Sequence, residues 1–143
     1  EVGHFSPGDG LTLFDCAGMR CAILICYDAE FPETVRAAAQ AGAQLILIPT
    51  ALAAEWLVVA ERVIPARAFE NGVHIAYANH AGVENGLNYA GSSVILDTKG
   101  GDQVRGGAKE TVISAFVEPA NVRMAQARLP YLRDLACFQD KLV

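Results

Sequence analysis

A cysteine at the end of an apolar run is the feature of this sequence best suited to chemistry. Residues 23–25 are all apolar, Cys26 follows them directly, and Tyr27 and Asp28 come next. Such a run predicts a buried strand, and the strand ends of an α/β sheet are where ligands bind. A thiol at that edge is a candidate nucleophile for covalent catalysis. The alternative is a buried structural residue, the commoner role of a cysteine chosen at random.

The other cysteines and the histidines do not have the spacing of a metal site. None of the four cysteines belongs to a C-x-x-C pair, and the three histidines are scattered, so we expect no metal. His74 lies within an apolar stretch and is interpreted as a core residue. His80 leaves open a protease-like dyad with Cys26, although the motifs around it argue against that reading.

Several other residues are interpreted as structural supports or as part of a pocket. Asp28 precedes a predicted helix and is interpreted as its cap. Arg67 and Glu70 stand three positions apart on another predicted helix, a spacing that favours an ion pair. Thr50 and Ala51 follow a second strand end, so we expect them to line a pocket.

Strands and helices alternate along the chain in the order typical of an α/β fold. The predicted strands are 11–16, 19–25, 43–49, 73–79, 91–96 and 110–117, with the first two joined as a hairpin through 17–18. The predicted helices are 32–42, 53–71 with a kink near Ile64 caused by Pro65, and 119–128. Residues 80–90 are predicted to form a loop, and 129–143 show no clear period. The strand–helix–strand order over 19–49 is a βαβ unit.

Composition excludes several functional classes. The chain has 143 residues, of which 52% are hydrophobic and 19% charged, which is enough apolar content for one domain with a core. A net charge of −5 with no basic cluster argues against nucleic-acid binding. No apolar run reaches the roughly 18 residues of a membrane span. No signal peptide is seen, so reduced thiols and a cytoplasmic location are expected.

Motifs spread over nearly the whole chain resemble the nitrilase superfamily, also called carbon-nitrogen hydrolases, and its amidase-like branch in particular. They occur together in the order typical of that family, which makes the resemblance more specific than any one motif. The motifs are Glu1…Phe5-Ser6-Pro7-Gly8, Cys26-Tyr27-Asp28…Phe31-Pro32-Glu33, Ile48-Pro49-Thr50, Arg67-Ala68-Phe69-Glu70-Asn71-Gly72, Ala78-Asn79…Gly82…Gly91-Ser92-Ser93 and Leu129-Pro130-Tyr131-Leu132-Arg133-Asp134-Leu135.

The resemblance implies a four-layer αββα sandwich, of which residues 1–143 form about the C-terminal half, a partial domain whose upstream part is absent. It implies hydrolysis of a small carboxamide to acid plus ammonia or amine through a cysteine thioester, with no cofactor and no metal, in a homodimer or larger homo-oligomer. Hydrolysis of a nitrile or an N-carbamoyl compound is an alternative within the family. A non-catalytic α/β fragment or scaffold is an alternative of another class.

The resemblance also implies roles for individual residues. Cys26 matches the nucleophile, and Glu1 matches a second glutamate that positions the substrate. Tyr27 would offer its backbone N–H to the oxyanion, and Thr50 and Ala51 would contact the substrate. The general-base glutamate and the lysine of the family would lie upstream of residue 1.

Overall fold

The structure, a computed structural model, describes residues 3–6 and 8–139. This part of the chain contains eight strands: β1 (Thr12–Cys16), β2 (Met19–Ile23), β3 (Leu45–Thr50), β4 (His74–Asn79), β5 (Ala81–Glu84), β6 (Leu87–Ala90), β7 (Val94–Leu96) and β8 (Asp102–Arg105). It also contains four α-helices: α1 (Pro32–Gln40), α2 (Ile64–Asn71), α3 (Pro119–Arg128) and α4 (Tyr131–Gln139). A 3-10 helix (Cys26–Glu30) follows β2.

Six of the strands form one mixed sheet in the order β1-β2-β3-β4-β7-β8. Strands β2, β3 and β4 are parallel, and their connections carry α1 and α2, as the predicted βαβ unit requires. Strands β1, β7 and β8 extend the sheet with antiparallel pairings. Because parallel strands end at the same edge, the segments after β2, β3 and β4 meet there.

The two faces of the sheet differ in burial. Residues paired across neighbouring strands share a face. One such row is fully buried and packs against α1 and α2: Ala22, Ile46, Ile75 and Leu96. The next row lies on the opposite face and is only half-buried: Ile23, Leu47, Ala76 and Ile95. The helices therefore complete the core on one side of the sheet and leave an apolar second face partly open.

The helices follow the predicted sequence features. Pro32 occupies the first turn of α1, whose buried residues are Val35, Ala38 and Ala39. A π-helical turn (Val59–Val63) leads into α2 without a gap, so the hydrogen-bond pattern changes at Ile64, where the kink was predicted, and the backbone there stays helical. Gly72 ends α2 with a φ of 61°, a left-handed conformation that glycine adopts without strain.

The prediction of a loop over 80–90 was wrong. Strands β5 and β6 form a separate two-stranded hairpin there. Its turn is Asn85-Gly86, with φ values of 50° and 81°, the type I′ geometry that an Asn-Gly pair favours. The first hairpin turns in the same way at Ala17-Gly18, with φ values of 48° and 78°, as predicted.

The segment after β7 also differs from its prediction. Residues 110–117 pair with no other strand in the described part of the chain, and Val112 and Phe116 are 95% and 97% exposed. The alternating apolar pattern favours a strand, but a strand forms only where a partner accepts its hydrogen bonds. The last strand of the sheet is instead β8, which sequence patterning missed. Helix α4 occupies most of the tail that showed no period, and Leu132 packs against the core.

Candidate active site

Cys26 has a backbone conformation that separates it from ordinary strand residues. Strand β2 ends at Ile23, two residues before the end of the predicted strand, and Cys26 opens the 3-10 helix with a φ of 51°. This left-handed conformation costs a residue with a Cβ about 1–2 kcal/mol. Strained backbone of this kind clusters at functional sites, where the surrounding structure must hold it.

The environment of Cys26 also differs from that of the other cysteines. Cys21 is 2% exposed, and burial raises its pKa, with smaller contributions from the nearby Cys16 and Asp15. Its thiol is therefore held neutral, as expected of a core residue. Cys16 and Cys137 are exposed on the surface, whereas Cys26 is half-buried at the carboxyl edge of the parallel strands.

Asp28 forms two hydrogen bonds with Ile25 that close the turn containing Cys26. Its backbone N–H donates to the Ile25 carbonyl oxygen at 3.0 Å, and its Oδ2 accepts the Ile25 N–H at 3.1 Å. The Thr34 hydroxyl donates to the carbonyl oxygens of Asp28 and Phe31. Asp28 therefore caps the start of the 3-10 helix and not α1, whose N-cap Phe31 has no side-chain cap, so the prediction is right only in that Asp28 caps a neighbouring turn. The N–H that its carboxylate binds belongs to the residue directly before Cys26.

Arg67 holds the far end of the same 3-10 helix. Its Nη2 donates to the Glu30 carbonyl oxygen at 2.7 Å, and its Nη1 pairs with Glu70 Oε1 at 3.1 Å. Arg36 Nη1 donates to the Glu70 carbonyl oxygen at 2.7 Å, and Asn71 Nδ2 donates to the Arg67 carbonyl oxygen at 2.8 Å. The ion pair predicted from the Arg67–Glu70 spacing is confirmed. The contact with Glu30, 37 residues away, could not be read from spacing.

Tyr77 lies on β4, near enough to Cys26 to be affected by its charge, and is 2% exposed. Burial raises the pKa of Tyr77 to about 12, the neighbouring Thr50 side chain opposes the rise, and charge on Cys26 and Glu30 adds to it. The Thr50 hydroxyl is directed at the Ile48 carbonyl oxygen at 3.4 Å, so Tyr77 Oη lacks a well-formed hydrogen bond among the described residues. The phenol is therefore neutral at physiological pH and lies in a low-dielectric environment.

Asn79 ties together the loops at the same edge, and its role was missed in the sequence. Its Oδ1 accepts the Leu52 N–H at 2.7 Å, and its Nδ2 donates to the Gly91 carbonyl oxygen at 2.6 Å. Its backbone N–H donates to Ser93 Oγ at 2.9 Å. An amide that both donates and accepts, directly after a predicted strand, is the signal that could have identified it.

His80 is engaged by the β5–β6 hairpin. Its Nε2 lies 3.1 Å from Glu84 Oε2, and its ring packs edge-on against Tyr89 with centroids 4.4 Å apart. Among the described residues no hydrogen bond joins His80 to Cys26. An open cavity of about 550 Å³ lies beside this pair and is lined in part by Asn79, Ser93 and Lys109. The geometry gives the protease-like dyad no support.

The structure places three of the other predicted site residues at the same sheet edge as Cys26 and does not describe the fourth. Thr50 ends β3 and Ala51 follows it, so both lie at the edge where Cys26 is found. The Tyr27 side chain is 63% exposed and packs on Phe31, and its backbone N–H has no acceptor in the described part of the chain. That free N–H is available to an oxyanion. Glu1 lies outside the described residues.

Residues 3–6 and 8–139 contain neither a metal-binding cluster nor a membrane-spanning helix. No group of three or more His, Cys, Asp or Glu side chains is arranged to hold a metal ion. No helix in the same residues is long and apolar enough to cross a membrane.

Comparison with known proteins identifies the family. Residues 1–127 match the family model for carbon-nitrogen hydrolases, and the chain therefore belongs to that family, the nitrilase superfamily. It is 40% identical over 131 residues to a hydrolase encoded in the pqqF 5′ region of Pseudomonas protegens, covering 91% of this chain and 46% of that protein. It is 34% identical over 135 residues to an (R)-stereoselective amidase of a Pseudomonas species, covering 94% and 49%.

A solved relative shares the fold. A variant of the amidase from Nesterenkonia sp. AN1, which shows Michael addition of acrylamide at its active-site cysteine, superposes with a TM-score of 0.76 at 40% identity. The match covers 88% of this chain and 50% of that one. The mixed sheet with its packed helices is thus part of the nitrilase fold, as predicted. The chain spans about half the length of the curated relatives it matches.

Proposed function

We propose that the protein at its native length hydrolyses a small carboxamide to the acid and ammonia, with Cys26 as nucleophile. The observation that carries the proposal is the conformation of Cys26: a half-buried thiol, held at a φ of 51° at the carboxyl edge of three parallel strands. A protein retains such strain where a side chain must be presented in one direction.

The proposed reaction has two steps, formation of a thioester on Cys26 and its hydrolysis. The general base takes the proton of the Cys26 thiol, the sulfur adds to the amide carbon, and the oxygen takes the negative charge. The C–N bond then breaks as the base passes that proton to nitrogen, which leaves as ammonia, so the proton later taken from water is the one returned to sulfur. A water molecule then gives a proton to the general base and its oxygen attacks the thioester carbon. The C–S bond breaks, which releases the acid and restores the thiol.

Residues around Cys26 supply part of what these steps require. The Tyr27 N–H is a donor for the developing oxyanion, because it has no acceptor in the described residues. Thr50 and Ala51 contact the substrate from the end of β3, and Glu1 orients it. The general-base glutamate and the lysine that the family resemblance implies would come from residues preceding this segment.

Amide substrates are favoured over nitriles and N-carbamoyl compounds by the relatives. The relatives include an (R)-stereoselective amidase, 34% identical over 135 residues, which supports an amide substrate. A relative from Pyrococcus abyssi, 39% identical over 100 residues, is a nitrilase, so nitriles stay the alternative. We also propose a homo-oligomer in the cytoplasm, where four free thiols remain reduced.

The test is ammonia release from a panel of small amides, nitriles and N-carbamoyl compounds by the protein at its native length. We expect turnover of amides by the wild type and none by Cys26→Ala, while Cys16→Ala, which removes an exposed thiol on β1, retains full activity. Incubation with acrylamide should add one adduct to the wild type and none at this position to Cys26→Ala, as read by peptide mass mapping. An active Cys26→Ala protein would refute the nucleophile, and a wild type inactive on every compound would favour the non-catalytic alternative.

A further inference from the structure

We infer that Arg67 is a positioning residue, which holds the Cys26–Glu30 helix in the geometry that presents the thiol. The inference rests on the proposed function, because presentation of Cys26 matters to a rate only if Cys26 is the nucleophile. Arg67 itself lies on α2 and reaches the turn from the side, through the carbonyl oxygen of Glu30.

Different hydrogen bonds hold the two ends of the Cys26–Glu30 helix. At its start, the reciprocal pair between Ile25 and Asp28 closes the backbone around Cys26. At its end, the Glu30 carbonyl oxygen is held by the Arg67 guanidinium at 2.7 Å. Five residues between two fixed points leave little freedom to relax, so Cys26 keeps its positive φ. The hydrogen bonds at the start join residues three positions apart, whereas the one at the end comes from a residue 37 positions away.

The surroundings of Arg67 indicate that stability alone does not explain it. The side chain is only 14% exposed, and its Nε is buried without an acceptor among the described residues. An unsatisfied donor on a buried cation is unfavourable. Glu70 neutralises the guanidinium at 3.1 Å and orients its planar fork, so that Nη2 points at Glu30. The arrangement fixes the direction of the guanidinium toward Glu30, at the expense of a hydrogen bond that Nε does not make.

Loss of this contact should affect the rate more than the fold. Without the guanidinium, the Glu30 carbonyl oxygen loses its partner and the end of the helix is held only by the Thr34 hydroxyl and the packing of Ala29. Cys26 can then return to a negative φ that moves its Sγ away from the substrate. A displacement of about 1 Å in a reacting atom costs on the order of 100-fold in rate. Arg67→Met leaves the Glu70 carboxylate unpaired, but that side chain is 31% exposed and can be solvated. We therefore expect the change at Cys26 to be mainly geometric, with KM altered far less than kcat.

The chain offers a matched control for this test. Arg36 also donates one guanidinium N–H to a backbone carbonyl at 2.7 Å, in this case that of Glu70, and it is also partly buried. It contacts α2 and not the Cys26–Glu30 helix. Arg67→Met and Arg36→Met each remove one 2.7 Å bond to a backbone carbonyl while keeping an apolar stem, and Arg67→Met also breaks the ion pair with Glu70. Only the first removes a contact with the turn that carries Cys26.

The experiment compares kcat, KM and thermal midpoint for both variants in the protein at its native length. We expect a loss of thermal midpoint in both variants, larger in Arg67→Met because it also loses the ion pair with Glu70. We expect a kcat about 100-fold lower for Arg67→Met and within about threefold of wild type for Arg36→Met. Arg67→Lys should recover part of the rate, to within about tenfold, because one ammonium can reach Glu30 or Glu70 but cannot bind both as a fork does.

Two results would overturn the inference. The first is an equal loss of kcat in Arg67→Met and Arg36→Met, which would mean that only general stability changed. The second, decisive even where Arg67→Met does not fold, is full kcat in a folded Arg67→Lys protein. Failure of the proposed function is a separate result, since it appears as an inactive wild type or an active Cys26→Ala protein whatever the Arg67 variants do.

Discussion

The left-handed conformation of Cys26 predicts an unusual order of stability among its variants. Alanine keeps the Cβ that makes a φ of 51° unfavourable, whereas glycine removes it. Relief of the left-handed strain is worth about 1–2 kcal/mol. Glycine loses about 0.5–1 kcal/mol through the greater freedom of its unfolded chain. The balance is about 0–1.5 kcal/mol in favour of Cys26→Gly over Cys26→Ala.

Cys16 provides the control with the opposite sign. It is an exposed cysteine in β1, outside the set of positive-φ residues. At this position glycine should be less stable than alanine by about 0.5–1 kcal/mol. Urea unfolding of the four variants measures both differences, since a urea m-value of about 1–3 kcal/mol per molar converts them into separated midpoints. The reasoning is refuted if glycine is the less stable residue at both positions.

Four further predictions follow from the rest of the site and the core. In Tyr77→Phe the loss of stability between pH 10 and pH 12 should be shallower than in wild type by about 2 kcal/mol, measured by urea unfolding. The sign follows because the raised pKa favours the protonated phenol in the folded state, so its contribution is complete below pH 10 and is lost as pH rises through about 12. Asn79→Ala should destabilise by about 2–4 kcal/mol, because the Leu52 N–H and the Gly91 carbonyl oxygen both lose their partner, and Asn79→Asp should recover only the first of these. Ile48→Ala, at a fully buried position, should lower the free energy of unfolding by about 3–4 kcal/mol in the same assay. Residues 1–143 expressed alone should be poorly soluble in a light-scattering assay, because an apolar sheet face is half-open; a monodisperse monomer that melts cooperatively would contradict this.

The sequence predicted those parts of the site that depend on local pattern. The apolar run before Cys26 and the residues after Ile48 correctly indicated strand ends, and the βαβ order brought those ends to one edge. The Arg67–Glu70 pair followed from helical spacing. In each case the interacting residues are near neighbours in the chain or belong to regular elements with a known period.

The features that sequence reasoning missed depend on contacts between distant segments. The positive φ of Cys26 is held in part by Arg67, and no local pattern encodes a contact across 37 residues. Asn79 joins loops that only the folded sheet brings together. The hairpin at Asn85-Gly86 is a different case, because its turn pair is a strong local signal that the polar residues around it obscured.

The β5–β6 hairpin has a consequence for how this fold can be diversified. Its base is anchored, since Ala53 bridges to Tyr89 and the Gly91 N–H donates to the His80 carbonyl oxygen at 3.0 Å. Its outer part is free, with Val83 73% exposed. Lengthening or shortening the hairpin at its tip would change what reaches the rim of the site without disturbing the strands that carry Cys26. Under the proposed function, the hairpin is a position at which substrate range could be engineered independently of the turn that carries Cys26.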